Sequence, residues 1–266
     1  MSALLSESSS HIDAGVNAIM ELPAGSQRID LSIVIPVFNE EDNLEPLLLE
    51  IEPVLKGLKK SFEVICIDDK STDKSLQFLW LLQKSRPYLR VIGHCINLGE
   101  SAAQATGFKH AQGEMIITMD ADQQNDPADI PNLLAALRNN VAAVCGVRRV
   151  REDSLVKKMS SRIANRFRNW VTGDQIRDAG CTFRALRSHA LRELPVFNGL
   201  HRFLPTLLRY QGYSVVEIEV NHRARTRGTS KYGIGNRLWR GLRDCFIMRW
   251  FKVRSIQGDR VEKEYQ

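Results

Sequence analysis

Four short, continuously apolar runs in the first half of the chain do most to limit its fold. They end at Val37, Ile67, His94 and Met119, and each is followed by a polar loop and then by apolar residues at helical spacing. Strands that are apolar throughout are typical of parallel sheets, because crossover helices bury both faces of such sheets. The pattern predicts an α/β fold with a mostly parallel sheet sandwiched by helices.

The two ends of the chain differ from this central part. Residues 1–28 contain a serine-rich stretch and little periodicity, which predicts a flexible N-terminal extension. Residues 29–232 carry the strands and the polar loops and are predicted to form the main domain. Residues 233–266 are predicted to form a basic amphipathic helix and a tail, because apolar residues and arginines alternate at helical spacing.

The positive charge of the chain is local. Lys and Arg number 37 against 31 Asp and Glu, and ten of these cations lie between Arg223 and Arg254 with a single acid among them. Such a segment favours phosphates as ligands, whether of a nucleotide, a lipid or a nucleic acid. The five cysteines form no C-x-x-C pair and are predicted to be free, mostly buried thiols. We find no signal peptide and no apolar run of membrane-spanning length, so a cytoplasmic chain is expected.

Three oxygen-bearing side chains follow the fourth apolar run. Asp120, Asp122 and Gln124 occupy alternate positions directly after a strand, where alternate side chains point the same way. Carboxylate and amide oxygens suit Mg²⁺ or Mn²⁺ held jointly with phosphate oxygens. Alternatively, these residues only cap the helix that begins near Pro127.

A second acidic pair, Asp68 and Asp69, ends the second apolar run, and carboxylates there can accept hydrogen bonds from a nucleobase or a ribose. Glu40 and the backbone of residues 36–38 would close the other side of that pocket. Turn formation and helix capping by Asp68 and Ser71 is the simpler alternative. Because the carboxyl ends of parallel strands share one edge, we expect all these loops to lie together.

Two further features stay ambiguous from the residues alone. The loop from Arg225 to Lys231 carries cations that could reach a diphosphate, or it is an ordinary solvated charge run. Asp178 is either a catalytic base for an acceptor hydroxyl or a structural acid paired with Arg177 or Arg184.

Taken together, six motifs resemble the family 2 glycosyltransferases of GT-A fold, and among them the polyprenyl-phosphate glycosyltransferases similar to dolichyl-phosphate mannose synthase. They are Ile33 to Glu40, Ile67 to Asp73, Asn97 to Gly99, Met119 to Gln124, Arg177 to Arg184 and Arg225 to Lys231. The family usually has Tyr where this chain has Phe38 and Gly where it has Lys70, and often Ser-Gly where it has Cys181 and Thr182.

The resemblance implies an inverting, metal-dependent transfer of one sugar from a nucleotide-sugar to undecaprenyl or dolichyl phosphate. It implies roles for residues of five of the six motifs and for Arg162. The nucleotide would be held by Pro36, Phe38, Glu40 and Asp69, the Mg²⁺ or Mn²⁺ by Asp120, Asp122 and Gln124, the donor phosphates by Arg225 and Lys231, and the acceptor phosphate by Arg177 and Arg162. Arg184 is placed among the substrate-binding residues, and Asp122, Arg177 and Asp178 are predicted to take part in catalysis.

A lipid monophosphate is already anionic, so its attack on the sugar needs cations rather than a base. The segment from Gly235 to Lys252 is expected to bind the cytoplasmic face of a membrane, with Trp239 and Trp250 at head-group depth, or else to pack on the protein. Nucleic acid is not an expected partner, and a homo-oligomer is left open. Two other functions are compatible with the motifs: transfer to a saccharide or protein hydroxyl with Asp178 as base, and non-catalytic binding of a nucleotide-sugar or lipid phosphate.

Overall fold

A seven-stranded sheet with helices on both faces organises residues 28–149, 155–224 and 235–254, which are the residues described in this computed structural model. The strands are β1 (Leu31–Val37), β2 (Phe62–Asp68), β3 (Leu89–Gly93), β4 (Met115–Thr118), β5 (Ala143–Arg148), β6 (Arg184–Arg187) and β7 (Val215–Val220). The helices are α1 (Glu41–Gly57), α2 (Ser75–Gln83), α3 (Glu100–His110), α4 (Ile130–Ala136), α5 (Leu155–Thr172), α6 (Leu200–Tyr210) and α7 (Gly235–Arg254).

The strand order is β3-β2-β1-β4-β6-β5-β7, and one of these strands runs against the rest. β6 pairs antiparallel with both β4 and β5, whereas the other pairs are parallel. The mostly parallel sheet predicted from the sequence is therefore confirmed. Because Arg184 of β6 pairs with Thr118 of β4, β6 begins at the edge where its neighbours end. The residues just before Arg184 are thereby brought to that edge.

Burial on both faces explains why the strands lack an alternating pattern. Ile33 and Ile35 of β1 pack with apolar residues of α1, α2 and α4, while Val34 packs with residues of α3, α5, α6 and α7 on the opposite face. All three side chains are fully buried. Most strand positions therefore carry apolar side chains, as in other sheets with helices on both sides.

The helix α7 is buried on one side only. Cys245 and Met248 are buried among residues of the second face, whereas Phe246 and Trp250 of the same helix are exposed. The helix therefore has one apolar face on the protein and another that is uncovered among the described residues. No described helix combines the length and the apolar character that crossing a bilayer requires.

All five cysteines are free, as predicted, and four of them are buried. Burial raises the pKa of the Cys66 thiol to about 12, so this side chain behaves as a small hydrophobe. Cys95, in the loop after β3, is exposed and is the exception to the predicted burial.

Candidate active site

The loops after β1 and β2 are joined by hydrogen bonds at the carboxyl edge of the sheet. The Asn39 carboxamide oxygen accepts from the Thr72 N–H (2.7 Å), and the Asn39 N–H donates to the Ser71 hydroxyl (2.9 Å). Asn39 and Lys70 both have positive φ angles, of 55° and 60°. A glycine adopts this conformation without strain, which accounts for the family's preference at the position of Lys70.

The joined loops bring the predicted nucleotide-binding residues together. Pro36 near the end of β1 and Phe38 and Glu40 in the loop after it are half-buried, and Asp68, the last residue of β2, is buried. One carboxylate oxygen of Asp68 accepts from the Ser71 N–H (3.1 Å), as expected for a turn, whereas the other is buried without a hydrogen-bond partner among the described residues. A buried acceptor without a donor is costly, so this oxygen is suited to a ligand N–H or O–H.

Asp69 has a different environment from its neighbour. Its two carboxylate oxygens accept from the backbone N–H groups of Leu98 (2.9 Å) and Gly99 (2.7 Å), and one of them also contacts the His94 imidazole (2.8 Å). Asp69, which we predicted to bind the nucleotide, therefore holds the turn that starts α3.

Replacing Asp69 with asparagine tests whether its carboxylate stabilises the loop before α3 or binds the nucleotide directly. The amide would present a donor to backbone donors, so we expect the free energy of unfolding to fall by about 2–3 kcal/mol in urea titrations. Nucleotide affinity, measured by calorimetry, would weaken as a consequence. Weaker nucleotide binding with unchanged unfolding would instead make Asp69 a direct ligand.

The acidic residues after β4 do not cap the turn that follows them. Asp126, not the Asp120 to Gln124 segment, caps the turn at Pro127 by accepting from the Ala128 N–H (3.0 Å). The capping alternative for Asp120, Asp122 and Gln124 is therefore wrong. Asp122 accepts from the Gln124 N–H (3.2 Å), and a φ of 60° at Gln123 turns the chain between them.

Asp120 is fixed by the segment before β6. The Thr182 hydroxyl donates to its carboxylate (2.7 Å), and its own N–H donates to the Asn125 side chain (2.8 Å). Burial, followed by the negative charge of Asp122, raises the pKa of Asp120 to about 6. The charge of Asp122 thus disfavours ionisation of Asp120, and a cation bound between the two carboxylates would relieve that repulsion.

These residues fit a divalent metal ion. Asp120 and Asp122 supply hard oxygen ligands of the kind that Mg²⁺ and Mn²⁺ prefer. Among the described residues no group of three His, Cys, Asp or Glu side chains forms a metal site by itself, so further ligands have to come from elsewhere. The Gln124 amide nitrogen donates to the Arg223 carbonyl (3.2 Å) and lies 3.5 Å from an imidazole nitrogen of His222.

The described residues that precede the predicted cationic loop lie beside this acidic loop. The Arg223 N–H donates to the Gln124 carbonyl (2.9 Å), and the Arg223 guanidinium pairs with Glu50 and Asp126. Arg225 and Lys231 themselves lie outside the described residues. Arg162 belongs to α5, but its side chain also lies outside the description.

Asp178 is held by a cation that we had not assigned to the site. Arg148, the last residue of β5, donates to both carboxylate oxygens of Asp178, at 2.7 and 2.8 Å. The predicted pairing of Asp178 with Arg177 or Arg184 is thus replaced by a two-point pair with Arg148. Arg177 instead contacts Glu217 (3.3 Å). The sequence contained the signal, because Arg148 ends a parallel strand at the site edge.

Arg184 lies beneath the same edge. Its guanidinium is fully buried and donates to the His201 carbonyl (2.7 Å), while its Nε has no partner among the described residues. The positive charges of Arg148 and Arg184 both act to lower the pKa of Asp120. One edge of the sheet therefore carries two carboxylates next to buried and half-buried guanidinium groups.

Comparison with known proteins identifies the family. The model of "Glycosyl transferase family 2" matches residues 32–195, more than half of the chain. The chain belongs to glycosyl transferase family 2. The matched range of this family 2 chain includes both acidic loops, Arg148 and the Asp178 segment.

Two curated relatives of this family 2 chain are named for lipid-linked sugar transfer. An undecaprenyl-phosphate 4-deoxy-4-formamido-L-arabinose transferase from Shewanella sediminis is 37% identical over 79% of this chain and 64% of its own length. A dodecaprenyl-phosphate galacturonate synthase from Rhizobium johnstonii is 33% identical over 85% of this chain and 68% of its own length. The chain thus spans just under two thirds of the first relative.

A solved structure supports the fold. Glucosyl-3-phosphoglycerate synthase from Mycobacterium tuberculosis, crystallised with Mn²⁺, uridine-diphosphate-glucose and phosphoglyceric acid, has a TM-score of 0.61 and 18% identity, over 83% of this chain and 79% of its own. At this identity the likeness concerns the fold alone. The GT-A-type architecture expected from the sequence is confirmed.

Proposed function

We propose that this family 2 chain transfers one sugar from a nucleotide-sugar to a polyprenyl phosphate, such as undecaprenyl or dolichyl phosphate, at the cytoplasmic face of a membrane. The observation that carries the proposal is the meeting of two carboxylates, Asp120 and Asp122, with the cations Arg148 and Arg184 at one sheet edge. The names of the curated relatives support the lipid phosphate as acceptor.

The acidic half of the site would bind the donor. The Asp68 carboxylate oxygen that has no hydrogen-bond partner among the described residues would accept one from the nucleobase or ribose. Pro36, Phe38 and Glu40 would surround it. Asp120 and Asp122, with Gln124, would hold Mg²⁺ or Mn²⁺. When bound, the metal neutralises negative charge on the departing diphosphate. Arg225 and Lys231 are proposed to contact the same phosphates.

The basic half would bind the acceptor. Arg177, Arg148 and Arg162 would hold the lipid phosphate; Arg148 joins the predicted pair because it ends β5 at the site edge and is held there by Asp178. A phosphate oxygen then attacks the anomeric carbon and forms a new C–O bond, while the bond from that carbon to the diphosphate oxygen breaks. Attack from the side opposite the diphosphate inverts the anomeric centre.

Asp178 serves this reaction as a positioning residue. A lipid phosphate is ionised at neutral pH, so no base is needed to activate it. The two-point pair with Asp178 fixes the guanidinium plane of Arg148, and such pairs add geometric specificity to charge. This pairing disfavours the alternative in which Asp178 takes a proton from an acceptor hydroxyl.

A transfer assay tests the proposal. Purified protein would be incubated with Mn²⁺, a panel of radiolabelled nucleotide-sugars and undecaprenyl phosphate, and the lipid phase would be extracted and counted. We expect label in the lipid with one or a few donors. Nucleotide binding without transfer to lipid would overturn the proposal and favour a non-catalytic binding module, and transfer to a soluble saccharide or a protein would favour a hydroxyl acceptor.

Variants of the Arg148 and Asp178 pair separate positioning from base catalysis. Arg148→Gln should raise the KM for polyprenyl phosphate about 10–100-fold, because a charge-assisted hydrogen bond contributes about 1.5–3 kcal/mol. Asp178→Asn should raise the same KM, and the double variant should be little worse than Arg148→Gln. A base would show instead as a loss of kcat in Asp178→Asn with KM unchanged, which Arg148→Gln would not reproduce.

A further inference from the structure

The helices α5 and α7 pack together and share an apolar surface that is exposed in the described part of the chain. The rings of Trp170 and Phe246 flank Phe167, with centroid distances of 6.0 and 6.3 Å, so the surface is continuous from one helix to the other. We call it the α5–α7 surface. Its exposed apolar residues are Ile163, Trp170, Phe246, Ile247, Trp250 and Val253.

These residues are not part of the core. Ile163 and Trp170 lie on one stripe of α5, and Phe246, Trp250 and Val253 lie on one stripe of α7, at spacings that repeat every two turns. Trp170 is 75% exposed and Trp250 is 63% exposed. Large apolar side chains that share one exposed surface mark a place of interaction.

The charge of the same two helices indicates the partner. Together α5 and α7 contain eleven Lys and Arg against one acid, Asp244, whereas the whole chain has 37 Lys and Arg against 31 Asp and Glu. The remainder of the chain therefore has more acids than bases. Cations with exposed side chains lie along both helices: Arg166, Arg243, Arg249, Lys252 and Arg254.

We propose that the α5–α7 surface docks on an anionic lipid bilayer, with Trp170 and Trp250 inserted at the level of the head groups. Tryptophan is favoured at membrane interfaces, and nearby Lys and Arg are attracted to anionic lipid. The docking surface is larger than the single helix α7 expected from the sequence, because α5 supplies two of its six exposed apolar residues. The role of docking, which is to bring the site to a lipid acceptor, rests on the proposed function. The docking itself is argued from the exposed side chains and the charge of the two helices.

Helix α5 also contacts the segment that is proposed to bind the acceptor. Asn165 and Asn169 of α5 donate to the carbonyl groups of Arg177 and Ile176, each at 2.9 Å. Docking of α5 thus brings the segment that carries Arg177 close to the lipid plane. A polyprenyl phosphate could then reach the site without leaving the bilayer.

Flotation of the full chain with vesicles tests the surface. The wild type should float with vesicles of roughly two parts phosphatidylcholine to one part phosphatidylglycerol and float less with phosphatidylcholine alone. The variant Trp170→Ser with Trp250→Ser should lower the partition coefficient at least about tenfold on the mixed vesicles. Reversing charge with Arg166→Glu and Arg243→Glu should lower it at least about tenfold on the mixed vesicles and leave phosphatidylcholine binding unchanged.

A matched control comes from α2, where Trp80 is 53% exposed and Lys84 is also exposed. Trp80→Ser with Lys84→Glu should float like the wild type. Flotation of the two-tryptophan variant at the wild-type level, or an equal loss in the α2 control, would overturn the proposal. So would a wild-type dimer in light scattering that the two-tryptophan substitution converts to a monomer, since a second copy would then cover the surface.

The transfer reaction distinguishes this proposal from the proposed function. With a short, water-soluble prenyl phosphate the two-tryptophan variant should keep wild-type turnover, and with undecaprenyl phosphate in vesicles it should lose at least about 90% of it. A wild type that floats as described but transfers sugar to neither acceptor would refute the proposed function and leave the docking surface standing. Equal losses on both acceptors would place the two tryptophans in the site and overturn docking.

Discussion

Replacing Asp122 with asparagine is expected to lower sugar transfer about 100–1,000-fold while the protein stays folded. Asparagine keeps an oxygen for the Gln124 N–H but removes one of the two negative charges that would hold the metal. Charge stabilisation of a leaving group is commonly the largest contribution to catalysis. Turnover at saturating Mn²⁺ and Mn²⁺ affinity by calorimetry are the measurements.

A neighbouring acid provides the control. Asp126 follows the same loop, but its carboxylate caps the Pro127 turn and pairs with Arg223, so Asp126→Asn should change turnover less than about fivefold. Nucleotide affinity without metal should be the same in Asp122→Asn and wild type. An Asp122→Asn protein with near-normal turnover would remove this carboxylate from the metal site.

The acidic half of the site could be predicted from the sequence because of a simple geometric rule. Asp68 and Asp120 each follow an apolar run, and parallel strands place their carboxyl ends at one edge. Asp69 and Asp122 lie beside these two residues and have the same sequence signal, but in the structure the environment of Asp69 differs from that of Asp122. Asp69 accepts hydrogen bonds from the backbone N–H groups of Leu98 and Gly99. These bonds depend on how the loop after β3 folds, and the local sequence pattern does not specify that fold.

The basic half was harder to predict because it depends on the antiparallel strand β6. This strand has four residues and inserts between β4 and β5, and a run this short has little periodicity to mark its partners. Its insertion brings Thr182 to Asp120, 62 residues away in sequence, and brings Asp178 to Arg148. Sequence spacing alone therefore assigned Asp178 the wrong partners.

The segment that leads to Arg177 is anchored by a buried charge network. The Asp174 carboxylate contacts the guanidinium groups of Arg168 (2.9 Å) and Arg209 (2.6 Å) and accepts from the Thr206 hydroxyl, and its side chain is 1% exposed. Burial acts to raise the pKa of Asp174, but the hydrogen bonds from Thr206 and the Gln175 N–H and the charge of Arg168 outweigh it and hold this pKa below its ordinary value.

Replacing Asp174 with alanine should therefore lower the free energy of unfolding by about 3–5 kcal/mol, measured by urea titration. Two cations would be left beside a cavity without their counter-charge, which costs more than the pair contributes in the wild type. Glu219→Ala is the matched control, because Glu219 and its partner Arg149 are 61% and 70% exposed at 3.8 Å. Such a surface pair should contribute less than about 1 kcal/mol.

The lowered pKa of Asp174 sets the sign of a pH effect. A carboxyl group whose pKa is lower in the folded state stabilises the fold above its unfolded pKa of about 3.9, and that stabilisation is lost as the pH falls through the folded value. Wild-type stability should therefore decline below about pH 4, and Asp174→Asn, which has no charge to lose, should decline less steeply there. Parallel curves for the two proteins in acid would contradict this role and place the acid-sensitive groups elsewhere in the fold.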